Sequence, residues 1–291
     1  MLRVVVPKGS LERATFDLFR AADLTIERES EVSYRATIDD PRIAEVRILR
    51  PQEIPTYVAE GLFDLGITGR DWVEETGANV VSLGELRYSK ASSRPIRVVL
   101  AVAGESAVTE PAQLPDGVRV ATEYPRLTER YFARLGIKAH VLASYGATEA
   151  KVPEIADAVV EITETGRALA AQGLRVIDEL LVSYTELIAN PVAAADPERR
   201  HAMEQVRTLL VGALAARGSV LVKLNAPAAA LAQIIAELPS MKAPTVSELY
   251  GGDGFAVEAV VPRERINLLI PSLKDAGATD ILEIPLSKIV P

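Results

Sequence analysis

The chain has 291 residues, 48% of them apolar and 25% charged, with 40 acidic against 32 basic side chains and a net charge of −8. That length fits roughly two domains with sizeable cores, and the acidic balance argues against a nucleic-acid partner, which selects basic surfaces. The absence of cysteine excludes disulfides, thiolate metal sites and thiol nucleophiles, while the two histidines, His140 and His201, sit in no ligand-spacing motif.

Residues 2–6 read as a strand that runs straight into a loop, without the long apolar region of a secretory leader. No later run approaches the ~18 apolar residues of a membrane span, so a cytoplasmic location without a membrane partner is expected. A helix opens at Lys8-Gly9-Ser10, with Gly9 or Ser10 near its cap. Residues 44–49 form a strand, and a proline-started helix covers 51–60. Residues 63–68 form a third strand, and a helix starts at 69–75. The pattern restarts with strands at 96–102 and 117–122, a helix at 125–135 and a strand at 137–142. A strand–loop–helix unit follows near 155–172, and a strand at 174–182 leads the chain back toward the first lobe. This alternation predicts parallel strands with helices on both faces, folded as two α/β lobes around a cleft. A long helix at 197–217 precedes a compact terminal pattern. There strands at 220–224, 245–249, 255–261 and 281–284 alternate with helices at 227–238 and 263–276, the β-α-β-β-α-β order of a ferredoxin-like module.

The segment Asp157-Ala-Val-Val-Glu161-Ile162-Thr163-Glu164-Thr165-Gly166-Arg167 carries the most chemistry. A Thr-Glu-Thr-Gly turn between strand and helix offers free backbone N–H groups, two hydroxyls and the positive end of a helix dipole, the parts of a phosphate cradle. Many such turns bind nothing. Asp157 and Glu161 are four apart and point to one side of an extended strand. Beside a phosphate they would repel it, so they are expected to accept hydrogen bonds from a sugar diol or to hold Mg²⁺. A sugar phosphate is the implied ligand. Four other loops occupy equivalent positions: Lys8-Gly9-Ser10, Arg50-Pro51-Gln52, Thr68-Gly69-Arg70-Asp71 and Gly146-Ala147-Thr148-Glu149. Ligands of open parallel sheets sit beyond the carboxyl ends of the strands.

Pro7-Lys-Gly-Ser-Leu, Arg50-Pro-Gln-Glu-Ile-Pro-Thr-Tyr-Val, Asp64-Leu-Gly-Ile-Thr-Gly-Arg-Asp and Thr122-Glu-Tyr-Pro-Arg-Leu-Thr together resemble the ATP phosphoribosyltransferase family. Residues 157–169 resemble its phosphoribosyl-pyrophosphate signature, and residues 213–291 resemble the histidine-binding regulatory domain of its long form. The resemblance implies the first step of histidine biosynthesis, in which ATP and phosphoribosyl pyrophosphate give phosphoribosyl-ATP and pyrophosphate with Mg²⁺. It implies a catalytic part resembling periplasmic binding proteins, with one lobe from 1–90 and 181–212 and another from 91–180. It also implies feedback inhibition by histidine and dimers that assemble into hexamers. By the same resemblance Glu161 contacts the ribose hydroxyls, and Thr163, Glu164, Thr165, Gly166 and Arg167, flanked by Ile162, hold the 5′-phosphate. Lys8, Gly9, Arg50 and Asp71 fall in nucleotide-side segments, Lys8 and Arg50 being expected catalytic cations. Asp157 and Glu149 are further substrate-side acids, and Asn225 and Thr245 lie near the inhibitor site. Ala168 stands where that family often has Thr, and Asn225 where some relatives have an acid. Alternatives of other classes are a two-lobed anion-binding protein, a catalytically silent regulatory subunit, and a phosphoribosyltransferase acting on another base.

Overall fold

The computed structural model describes residues 1–88, 95–241 and 243–290; the expected lobe boundary at 90/91 lies outside them. The chain separates into two compact units, residues 1–17 with 24–207, and residues 18–23 with 208–291. Among the described residues no helix is long and apolar enough to cross a membrane.

The chain begins with β1 (Leu2–Pro7), α1 (Glu12–Ala21), β2 (Arg35–Ala36), β3 (Ile43–Leu49), α2 (Ile54–Ala59), β4 (Leu65–Gly69), α3 (Arg70–Thr76) and β5 (Val81–Glu85). Next come β6 (Ile96–Ala103), β7 (Val118–Thr122), α4 (Pro125–Leu135), β8 (Ala139–Ala143), β9 (Ala158–Thr163), α5 (Arg167–Ala171) and β10 (Leu174–Ser183). After them follow β11 (Thr185–Ala189), α6 (Pro191–Ala195) and α7 (Pro197–Ala216). The proline-started helix expected from 51 begins only at Ile54, because Pro55, which has no N–H to offer, occupies the first turn.

These strands form a six-stranded sheet, β2-β3-β1-β4-β11-β5, and a five-stranded sheet, β10-β6-β9-β7-β8. β3, β1 and β4 run parallel in the first sheet, as do β8, β7 and β9 in the second. Neither sheet is wholly parallel, which corrects the sequence expectation. β11 is antiparallel to β4 and β5, and β6 is antiparallel to β9 and β10. The reason lies in the links. A parallel neighbour requires a crossover of a dozen or more residues, whereas β10 passes to β11 through Tyr184 alone. Each sheet thus reads second, first, third, incoming and fourth strand, the incoming one donated by the other lobe. This is the two-lobed arrangement expected of the catalytic part.

Alternation along the strands builds the cores. In the second lobe Val98, Leu100, Val102, Val120 and Val160 face Tyr124, Tyr131 and Phe132 of the α4 side. Val99, Ala101, Ala121 and Val159 face Leu169 and Leu174 on the opposite side. Each fully buried Val or Leu contributes roughly 1.5–3 kcal/mol. In the first lobe α2 lies so close to β4 that a Cβ at Gly66 would stand 2.8 Å from Val58 Cγ2 and 2.9 Å from Ile54 Cγ2. Only glycine fits there.

The second unit contains β12 (Ser219–Ala226), α8 (Leu231–Glu237), β13 (Thr245–Glu248), β14 (Phe255–Pro262), α9 (Ile266–Asp275) and β15 (Thr279–Pro285). Its sheet order is β13-β14-β12-β15, antiparallel throughout, so the ferredoxin-like expectation stands. Val220, Val222, Leu224, Val257 and Val261 face Ile234, Ile266, Leu269 and Leu273 of the two helices.

Candidate active site

Two cations sit at the carboxyl ends of neighbouring parallel strands in the first lobe. Pro7 pairs with Leu49, and Lys8 N–H donates to the Leu49 carbonyl at 2.6 Å, so Lys8 and Arg50 leave the sheet side by side. Lys8 Nζ donates to Tyr34 Oη at 3.0 Å and lies 4.1 Å from the centre of that ring. The Lys8 hydrogen bond, with Arg50 nearby, draws the Tyr34 phenol below its ordinary range. Gly9 takes φ +92°, a conformation glycine adopts without strain, and its N–H points at Glu12 Oε2, 3.4 Å away.

Asp71 lies on the wall of a cavity between the lobes, and its carboxylate is already engaged by protein hydroxyls. It is 2% exposed and accepts from Ser183 Oγ at 2.7 Å and from Tyr124 Oη at 2.8 Å, while its own N–H donates to Ser183 Oγ at 3.0 Å. Burial pushes the Asp71 carboxyl up, and the two hydroxyls oppose that rise. Tyr124 rises well above its usual value, chiefly through burial and then through Asp71. Trp72 stacks on Tyr124 at 4.5 Å between ring centres. Glu75 adds a second tie, accepting from the N–H groups of Arg126 at 3.1 Å and Leu127 at 2.8 Å at the start of α4. Asp71 is therefore committed to holding α3 and α4, one from each lobe.

The signature loop leaves β9 at Thr163. Thr163 is buried, and its Oγ1 accepts from Gly166 N–H at 2.8 Å. Gly166 turns the chain with φ +78°. Thr165 and Arg167 are exposed. The following helix, α5, is only five residues long, so little dipole gathers at its start and a cradle here rests on the loop N–H groups themselves. Glu161 is half-buried, and burial pushes its carboxyl above the ordinary glutamate value. The N–H of Ile162, 2.8 Å from Glu161 Oε1, and the Thr148 hydroxyl oppose that shift, while Glu123 and Glu149 reinforce it.

Asp157 does not join Glu161. It lies just before β9 and binds Arg119, accepting from the backbone N–H at 2.9 Å and from Nη2 at 2.6 Å; Arg119 first, against burial, holds its carboxyl below the ordinary range. Spacing placed the two acids on one side of a strand but could not show that the first would find an arginine at the opposite end. Asn225 and Thr245 lie on the sheet of the second unit, separated by β14. Asn225 Nδ2 donates to Asp280 Oδ2 at 2.9 Å, and Thr245 pairs with Glu258 on the edge strand.

A cavity of about 390 Å³ opens between the lobes of the first unit, lined by Ser10, Gln52, Trp72 and Tyr184 from one side and by Glu123, Tyr124, Ile162 and Glu164 from the other. A second hollow beside it brings in Arg50, Ser144 and Tyr145 and shares Gln52, Trp72 and Glu123. Sequence reasoning missed Tyr34, Trp72, Tyr184, Ser144 and Lys151, and assigned no role to Glu123 or Tyr124 although it quoted their segment. The single tryptophan of the chain, directly after Asp71, was the one signal available. Tyr34 and Tyr184 carry none, because each reaches its place through strand pairing.

Fold and site together define a two-lobed α/β protein with a polar-edged cavity between its lobes. Residues 50–212 match the family model described as ATP phosphoribosyltransferase, and residues 216–288 match the one described as HisG, C-terminal domain. An ATP phosphoribosyltransferase of Desulforudis audaxviator is 45% identical over 290 residues, covering 100% of this chain and 99% of the relative. One of Nitratidesulfovibrio vulgaris strain DP4 is 48% identical over 290 residues, covering 99% and 98%. The structure described as the ATP phosphoribosyl transferase (HisG:HisZ) complex from Thermotoga maritima aligns with a TM-score of 0.61 and 27% identity, over 72% of this chain and 98% of that one. The chain belongs to the ATP phosphoribosyltransferase family, in its long form with the C-terminal domain. It is a pentosyltransferase of the first step of histidine biosynthesis, acting on ATP and phosphoribosyl pyrophosphate. The anion-binding and other-base alternatives are thereby set aside.

Proposed function

We propose that phosphoribosyl pyrophosphate lies along the β9 loop, with Glu161 accepting hydrogen bonds from its ribose hydroxyls and the Thr163–Gly166 turn, with Arg167, receiving the 5′-phosphate. ATP then enters from the side of Lys8, Gly9 and Arg50. The observation that carries this reading is the cavity wall, on which Ile162 and Glu164 of the signature loop face Gln52 and Trp72 across one space. Adenine N1 carries a lone pair and no proton to remove. Its attack forms the N1–C1′ bond as the C1′–oxygen bond to pyrophosphate breaks and the electron pair leaves with pyrophosphate. Such a reaction needs positioning and charge stabilisation and no protein nucleophile. Lys8 and Arg50 supply the positive charge.

Mg²⁺ fits this site as an ion that arrives on the substrate. Among the described residues no group of three or more His, Asp or Glu side chains could hold a metal. Magnesium keeps several waters and binds through one or two carboxylates plus substrate phosphates; Glu123, Glu149 and Glu161 provide oxygen ligands of that kind.

The residues from 213 onward form the regulatory domain in this reading, and histidine bound near Asn225 and Thr245 inhibits the enzyme. The two catalytic lobes comprise 1–90 with 181–212, and 91–180. The protein works in the cytoplasm as a homo-oligomer, dimers assembling into hexamers. The test is pyrophosphate release from ATP plus phosphoribosyl pyrophosphate with Mg²⁺, with and without millimolar histidine. Release that histidine suppresses is expected. Release indifferent to histidine removes the regulatory part, and no release from folded protein removes the catalytic part.

A further inference from the structure

Lys8 and Arg50 leave the first sheet side by side, and two neighbouring cations call for compensation. Cations close to them in sequence have it. Arg28 binds Glu12 at 2.9 Å and Arg47 binds Glu45 at 3.0 Å, whereas Lys8 and Arg50 are in no salt bridge among the described residues. The nearby acid at the start of α1 does not serve Lys8, because Glu12 receives Arg28 at Oε1 and faces the Gly9 N–H with Oε2. In a chain with 40 acidic side chains against 32 basic ones, a pair of cations left without carboxylates is placed for an external anion.

What Lys8 does have is Tyr34. Its Nζ donates to Tyr34 Oη at 3.0 Å and lies 4.1 Å from the ring centre, so the phenol oxygen and the negative ring face both hold the ammonium. A phenol, unlike a carboxylate, orients an ammonium without cancelling its charge. The ammonium has three donors; one goes to Tyr34 and two remain for phosphate oxygens.

Tyr34 is 54% exposed, and its backbone fixes it in place. The Ile48 N–H donates to the Tyr34 carbonyl at 3.0 Å, and the next residue, Arg35, pairs with Arg47 of β3. Ser33 closes the turn before it, its Oγ donating to the Arg35 carbonyl at 2.8 Å and accepting from the Arg35 N–H at 3.2 Å. The strand that sends Arg50 into the site therefore also carries the tyrosine that holds Lys8, 26 residues away in sequence. Lysine ends a flexible four-carbon stem, and freezing that stem on a ligand costs rotamer freedom. A residue that holds the ammonium beforehand removes part of this cost from binding.

We propose that Tyr34 is a positioning residue for the nucleotide side of the reaction, holding the Lys8 ammonium beside Arg50 in readiness for the polyphosphate of ATP. The proposal rests on the placing of Lys8 and Arg50 on the ATP side given above.

The test is steady-state pyrophosphate release by the full-length enzyme, each substrate varied in turn, beside the urea midpoint of each variant. Tyr34→Leu, which removes both hydroxyl and ring, is expected to raise KM for ATP about tenfold, the scale of one lysine's rotamer freedom, with KM for phosphoribosyl pyrophosphate within about twofold of wild type. An exposed position predicts an unchanged urea midpoint. Tyr34→Phe keeps the ring and loses the hydrogen bond, and is expected to raise KM for ATP about threefold. In the Lys8→Met background Tyr34→Leu is expected to add nothing, since the group it positions is gone. A loss from Tyr34→Leu that persists in that background would overturn the proposal, as would one confined to phosphoribosyl pyrophosphate or one that tracks a lowered urea midpoint. Lys8→Met by itself separates the two claims. Wild-type KM for ATP in that variant removes the ATP-side reading of Lys8 and the proposal with it, whereas an impaired Lys8→Met beside an unimpaired Tyr34→Leu removes the role of Tyr34 alone.

Discussion

The two lobes contain the same structural device, and the strands that follow it end differently. In the first lobe Asp64 precedes β4 and accepts from Arg3 N–H at 2.8 Å and Arg3 Nε at 3.2 Å, while Asp64 N–H donates to the Arg3 carbonyl at 2.9 Å. In the second lobe Asp157 precedes β9 and accepts from Arg119 N–H at 2.9 Å and Arg119 Nε at 3.2 Å, and Asp157 N–H donates to the Arg119 carbonyl at 2.9 Å. Each arginine is the second residue of the lobe's first strand. An acid at this point staples the third strand to the first, so its presence indicates architecture. The strand ends differ. β4 leads to Asp71, whose carboxylate accepts from two hydroxyls, whereas β9 carries Glu161, which has acidic neighbours and no salt bridge among the described residues. An acid left electrostatically unfavourable near a cavity is the better candidate for chemistry.

The comparison breaks most readily at Asp64. That residue is 3% exposed at its side chain and carries a second arginine, Arg199 Nη1 at 3.1 Å. Although burial pushes its carboxyl up, Arg3 and Arg199 hold it below the ordinary range. Removing one partner of a buried pair costs about 3–5 kcal/mol, so Asp64→Asn is expected to lower the urea midpoint by a corresponding amount at neutral pH. A depressed carboxylate stabilises the fold above its unfolded pKa and ceases to do so as pH falls through the folded one. The wild-type advantage over Asp64→Asn should therefore shrink below about pH 4. A gap that stays constant down to pH 2 would show that packing and not charge is responsible.

Glu161→Gln is expected to reduce kcat about a hundredfold, equivalent to ~2.7 kcal/mol of transition-state stabilisation. Its stability effect should have the opposite sign. A carboxyl raised by burial favours the fold at low pH and loses that contribution as pH rises through the folded value. The variant should consequently unfold at a higher temperature than wild type at pH 8, with the difference fading toward pH 4. Calorimetry at the two pH values checks the sign.

Asp71→Asn tests the other strand end. Asparagine accepts from only one of the two hydroxyls and brings an amide that needs acceptors, a loss of about 1–3 kcal/mol. We expect lower stability with KM for both substrates raised together, because the wall formed by Trp72 and Tyr124 shifts as a unit. A Tyr124→Phe variant that behaves identically would strengthen the assignment of Asp71 to the tie between α3 and α4. The smallest effect belongs to Asp157→Asn. Its side chain is 44% exposed, and exposed ion pairs contribute under about 1 kcal/mol. Near-wild-type kinetics with a small fall in stability are expected; a kinetic loss comparable to that of Glu161→Gln would restore Asp157 to the sugar site.

Much of the fold was legible because it is local. Short β-rich apolar runs marked β1, β3, β6, β7 and β9, and the helix expected at 125–135 matches α4 to the residue. β11 was not anticipated, and neither were the antiparallel pairings around it: the five residues Thr185–Ala189 are short, begin with two polar side chains and follow β10 after Tyr184 alone, so no turn signal separates them from it. In the site, the turn at Thr163–Gly166 and the acid at Glu161 could be read from residue type and spacing. The fates of Asp157 and Asp71 could not, since Arg119 is 38 residues away and Ser183 is 112 away.

By itself the amino-acid order determined most of the elements, the βαββαβ module, the family and the strand–turn–helix unit at Thr163–Gly166, all legible in short segments whose backbone geometry follows from neighbouring side chains. Tertiary structure decided which charges are spent and which are left over. Electrostatic partnership depends on distances between residues remote in sequence and on how much water remains around them, and both are set only when the two lobes close on a shared pair of strands.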